Sequence, residues 1–168
     1  MKRNFILMIV IIMVSALIFG IIRIYNNKLY TAYDSLKVRS IENNLVKLQW
    51  AIQVQEKNNW SNPFAITEKV QDVIEGINTT LVVGRDLKIM KRENEDTLYL
   101  LLKVIITYDK YGDSPDGVKK FNTGDQQAFR KLGSDLKKVG WEMGVGYGEN
   151  NDKFKKAVNN LYNFQKGQ

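Results

Sequence analysis

The chain has no cysteine and no histidine in its 168 residues, and only two prolines. Without cysteine there is no disulfide, no zinc thiolate, no thiol nucleophile and no lipid-modified cysteine. Without histidine the commonest general base is gone, and with it the Ser–His and Cys–His nucleophile systems and the most frequent zinc or iron ligand. Catalysis would have to rest on carboxylates, lysine or tyrosine. A glycosidase needs two carboxylates facing each other across a cleft; the sequence holds many acids but no spacing that pairs them. The reading is therefore of a non-enzyme without cofactor or metal, with a carboxylate-based envelope hydrolase as the enzymatic alternative.

Acidic residues are absent before Asp34. Four of the 25 basic residues (Lys2, Arg3, Arg23 and Lys28) lie in that stretch, which leaves 21 basic against 18 acidic from Leu29 on. A domain at +3 is not a nucleic-acid binder by charge alone, and no nucleic-acid partner is expected. The basic excess in Lys119, Lys120, Arg130, Lys131, Lys137 and Lys138 marks either a solvated helix face or a contact with an anionic surface, such as lipid headgroups or a wall polymer.

What is present in excess is one apolar run. Phe5 to Ile22 reads FILMIVIIMVSALIFGII, uncharged, with Ser15 its only hydroxyl. At about 1.5 Å per residue, a helix of this length nearly spans a hydrocarbon core of roughly 30 Å. Val14-Ser15-Ala16 has the small-residue pattern of a signal-peptide cut, but the apolar run continues six residues beyond it, so a retained anchor is expected. Basic residues flank both ends, and the positive-inside rule decides little. The assignment is a cytoplasmic tail (1–4), a transmembrane anchor (5–24), an amphipathic stalk helix (25–62) and an extracytoplasmic domain (63–168), single-pass, N-terminus inside and C-terminus outside.

In the stalk, Val38, Ile41, Leu45, Leu48 and Ile52 recur at 3-4-3-4 spacing. This stripe, with Trp50 beside it, is a candidate interaction surface, for the chain's own domain or for a second copy. Beyond Pro63, Thr67 can cap a short helix carrying Val70, Val73, Ile74 and Ile77, with Gly76 near its end. Residues 79–83 and 87–90 look extended, 91–96 form a polar turn, and 97–108 (TLYLLLKVIITY) reads as the strongest strand, joined in a hairpin. Thr123 can cap a helix stopping at Gly140, and Asn150 or Asn151 can open a last one. The expected fold is α+β, a small antiparallel sheet packed by helices.

Two loops carry motif-like residues. Asp109, Asp113 and Asp116 lack the alternation of a calcium loop. Gly144-Val145-Gly146-Tyr147-Gly148 contains the potassium-filter core, without the pore helix and membrane helices a filter requires.

Residues 1–63 resemble the N-terminal part of type IV pilin-like proteins. Lys2-Arg3-Asn4 precedes Phe5-Ile6-Leu7, and the stretch from Arg39 through Leu45, Leu48 and Ala51-Ile52 to Asn58-Asn59 and Pro63 is similar to the stalk's exit. Asn4 stands where that family's leader ends in glycine, and Ile9 where its mature helix carries glutamate. The resemblance implies a minor filament or secretion component. The residues themselves point to a membrane-anchored extracytoplasmic protein with a structural, assembly or binding role at the cell envelope. Its partners would be the bilayer and an envelope protein or a second copy of the chain.

Overall fold

The structure, a computed structural model, describes residues 2–111, 120–144 and 150–167. Among them there is no strand: the domain is all-α, and the expected antiparallel sheet does not exist. The elements are α1 (Lys2–Lys37), a π-helical turn (Val38–Glu42), α2 (Asn43–Lys57), α3 (Phe64–Asp86), α4 (Arg92–Ile105), a 3-10 turn (Ile106–Tyr111), α5 (Thr123–Lys138) and α6 (Asn151–Lys166).

The expected strand 97–108 is helical, most of it in α4, and the reason is the spacing of its buried side chains. Thr97, Leu98, Leu101, Val104, Ile105 and Tyr108 are buried, at intervals of three and four, whereas Tyr99, Lys103 and Ile106 face solvent. That is a helical stripe. Three consecutive leucines and the acidic first turn of Glu93 and Glu95 favour a helix over the β-branched residues that follow. Lys103, which interrupts the apolar run in sequence, lies on the outer face with its ammonium 5.9 Å from the centre of the Tyr162 ring.

Residues 79–83 likewise belong to α3, which runs on to Asp86. Its N-cap is Pro63; Thr67 sits inside the first turns and bonds back to the Phe64 carbonyl at 3.0 Å. Gly76 lies in mid-helix rather than at an end. α5 is capped by Asn122, one residue before the expected Thr123, in a reciprocal box with Asp125 (2.9 and 3.0 Å). Gly140, with φ +96, terminates it as the sequence implies, and Asn150 caps α6.

α1, the π turn and α2 form one unbroken helical rod. Its first half stands free: the apolar side chains from Leu7 to Ile24 are 40–68 % exposed. The most apolar window there has a mean hydropathy of 2.8 and none of it is buried. This is a helix long and apolar enough to cross a membrane. From Tyr33 onward the same rod becomes the centre of the domain, with Ile41, Leu45 and Leu48 wholly buried and Ile52 at 2 %.

Contacts fix the directions of the other helices. Asn44 donates to the Asp72 carbonyl (3.1 Å), Ser40 meets Thr80 (3.2 Å), and Tyr33 packs on Gly84. α3 therefore runs antiparallel to the rod, and its C-terminus points back toward the rod's exposed apolar half. α5 is also antiparallel, through Ile52 against Gly133 and Glu56 bonded to Arg130. α4 and α6 lie parallel to each other, tied by Glu93–Lys155 at one end and Tyr108–Gln165 at the other. Phe129, Phe154 and Trp141 fill the space between.

Candidate functional site at the helical junction

A π turn arises where one extra residue is accommodated in a helix, and such turns recur at functional positions. Here it sits where exposed rod becomes buried rod, flanked by two buried charges. Lys37 is 4 % exposed and Glu42 2 %. Extending the Ile41–Leu45 stripe backwards by four and eight residues lands on Lys37 and Tyr33. The apolar stripe of α2 thus continues into polar residues that still face inward.

Lys37 Nζ donates to Asn151 Oδ1 at 2.7 Å, lies 3.7 Å from Asp34 and 5.2 Å from the centre of the Phe154 ring. Asn151 Nδ2 in turn donates to Asn94 Oδ1 at 3.0 Å. One lysine therefore ties α1 to the N-terminal turns of α4 and α6. The Tyr33 hydroxyl and Glu42 Oε2 are buried with no hydrogen-bond partner among the described residues. Burial pushes the Glu42 carboxyl up to about 7, against an opposing pull from Lys37. Burial, then the charges of Asp34 and Glu95, push the Tyr33 phenol up to about 12.

Tyr33, Lys37, Asn94 and Asn151 line a pocket with about 10 Å³ of interior space. That is room for a single water, too little for an organic substrate. No group of three acids among the described residues is placed to hold a metal. The arrangement can take up a proton at Glu42 near neutral pH and can lock three helices in register.

A wider groove of about 300 Å³ runs between α2 and α5, lined by Gln49, Gln53, Glu56, Arg130, Ser134 and Lys137 over Ile52 and Gly133. Trp50, three residues before the groove-lining Gln53 on α2, is 52 % exposed.

The stripe residues Ile41, Leu45, Leu48 and Ile52 are core, Val38 is half-buried, and Trp50 alone of that set is open to solvent. Of the basic set, Lys119 lies outside the described residues and Lys120 is exposed. Arg130 pairs with Glu56 (3.1 Å) and covers Trp60, and Lys137 reaches Glu142 (3.3 Å). Lys131 and Lys138 both bond to the buried Asp135, at 2.8 and 3.1 Å. Four of these cations are thus tied down by acids of the domain itself.

Lys37 and Tyr33 escaped the sequence reading although the stripe extended backwards reaches them, and Glu42 escaped it because it stands one position off the stripe. No family model matches the chain, and neither a curated protein nor a solved structure matches it.

Proposed function

We propose that this is a single-pass membrane protein in which the anchor and the domain form one rigid body, presenting an all-helical binding or assembly module at the outer face of the membrane. The observation that carries the reading is the rod itself. Its N-terminal half is bare apolar surface, its C-terminal half is the core of the domain, and no linker intervenes. Bare aliphatic surface of this extent is costly in water and satisfied in lipid. Tethering confines the module to two dimensions, which raises its effective concentration for any partner in the same membrane.

The surface on offer is the Trp50 edge of α2 beside the α2–α5 groove. An exposed tryptophan next to a groove is the kind of anchor that dominates protein contacts. In this reading the tail before Phe5 lies in the cytoplasm and the helical domain outside. Carbonate extraction should leave the full chain with the membrane fraction, and protease added to intact cells should remove the domain. Release into the soluble fraction, or full protection from protease, would refute the reading.

A filament or secretion component with pilin-like architecture is a second reading. It is favoured by the same rod, half bare and half domain core. Mass spectrometry of the mature chain tests it: cleavage after Asn4 would support it, and an intact N-terminus would remove it.

A further inference from the structure

The end of α3 nearest the anchor carries a basic turn whose position relative to a bilayer can be measured along the rod. Gly84 packs on Tyr33: a Cβ there would fall 2.9 Å from the Tyr33 hydroxyl. Tyr33 is eleven residues beyond Ile22, hence roughly 16 Å past the end of the apolar run. α3 runs antiparallel, so the turn that follows Gly84 descends by about one helical pitch, roughly 5 Å. Its backbone then stands about 11 Å above the hydrocarbon edge, over a headgroup layer about 5–7 Å thick. An extended lysine closes that gap, and the usual tilt of about 20° brings one side of the domain closer still.

The composition of the turn suits that place. Between Gly84 and Arg92 the charged residues are Arg85, Asp86, Lys88, Lys91 and Arg92. Arg85 is engaged with Glu95 and Tyr99, leaving three exposed cations against Asp86. Leu87 beside them is 44 % exposed. The rod below adds Arg23 and Lys28, with no acid before Asp34.

Lys88 also has a backbone that lysine does not favour. Its φ is +53, at the position where α3 closes with Ile89 N bonded to the Gly84 carbonyl at 3.1 Å. Glycine is the usual residue there, because a Cβ is strained in the left-handed region. A strained lysine at the tip of the turn nearest the bilayer is accounted for if its charge is used there.

We infer that the α3–α4 turn, through Lys88, Lys91 and Arg92, docks on anionic headgroups of the leaflet from which α1 emerges, and so sets the tilt of the domain. The inference rests on the anchor reading, and the test separates the two. The chain has no cysteine, so single spin labels at Leu87→Cys and Phe19→Cys report without background. The full-length protein is reconstituted in nanodiscs of phosphatidylcholine alone or with phosphatidylglycerol. The label at 87 should lose collisional access to a water-soluble nickel complex only when phosphatidylglycerol is present, and regain it at high salt. Each cation contributes about a fivefold preference for the docked state, so K88Q/K91Q/R92Q should lower the docked-to-free ratio about a hundredfold. Equal access at 87 in both lipids, or a triple variant that responds like the parent, overturns the docking while Phe19 still reads as buried in lipid. A water-accessible label at 19 overturns the anchor, and the docking with it. Inorganic phosphate added to the phosphatidylcholine discs should leave the label at 87 unchanged; protection there would mean that the turn binds the free anion and would overturn the lipid assignment.

Discussion

Gly76 of α3 lies directly against the main-chain carbonyl of Ser40 in the π turn. A Cβ built on Gly76 would fall far inside van der Waals contact of that oxygen, and the Ser40 Cβ is only 3.3 Å away. The same carbonyl accepts from Asn44 Nδ2 at 2.9 Å, and Ser40 Oγ reaches Thr80 Oγ1, itself bonded to the Gly76 carbonyl at 2.7 Å. α3 can approach the π turn this closely only because a side chain is missing at Gly76.

Gly76→Ala should therefore destabilise the domain, although alanine is the better helix former by about 1 kcal/mol. The obstacle is main chain, which cannot rotate away, so a net loss of about 3 kcal/mol is expected. Gly20→Ala, with nothing within 4 Å, is the matched control. Thermal unfolding of the full chain in detergent, followed by circular dichroism, checks both. Equal melting temperatures for the two variants would mean that α3 does not pack on the π turn.

Glu42 makes stability depend on pH. Its folded value, about 7, stands above its ordinary value of 4.5. Between these values the folded chain holds a proton that the unfolded chain has lost, so stability falls as pH rises from about 4.5 to about 7 and is level beyond. The loss approaches about 3 kcal/mol. Glu42→Gln mimics the protonated form. It should abolish that slope, leaving the protein unchanged at pH 4 and more stable than the parent at pH 8. Urea melts at pH 4, 6 and 8 measure it, and a slope that persists in the variant assigns the proton to another group.

The helix long and apolar enough to cross a membrane was legible in the sequence because such a helix is recognised by composition and length alone. The apolar stripe of α2 was legible from spacing, and Leu45 and Leu48 are buried together as one helical face, but spacing did not decide between the chain's own domain and a second copy as what covers it. α4 was misread because Val104, Ile105, Ile106 and Thr107 carry a β preference that tertiary packing overrode. The three- and four-residue intervals from Leu98 to Tyr108 held the correct answer. The junction was hidden for a different reason. Burial of Lys37 is made possible by Asn151, 114 positions away, and no local pattern shows that such a partner will arrive.

Trp50 should matter for contact and not for folding. It is half exposed, so Trp50→Ala should change stability by no more than about 0.5 kcal/mol. A photo-crosslinking residue at Gln53, on the same side of α2, should give a defined adduct in intact cells, and Trp50→Ala should abolish it. Absence of any adduct with the parent chain would remove this edge as the contact surface.

Lys88 sets two effects against each other. Glycine at this position would relieve the left-handed strain, so Lys88→Gly should raise stability in detergent by about 1 kcal/mol, or roughly 4 °C in melting temperature. In discs containing phosphatidylglycerol it should lower the docked-to-free ratio about fivefold, through loss of one cation. Lys88→Asn repeats the test with a side chain in place, because asparagine also tolerates this backbone while lacking the charge. Both variants should melt later than the parent and dock less. If both melt earlier, the backbone at 88 carries no strain, and the structural reason for assigning a task to that lysine is gone.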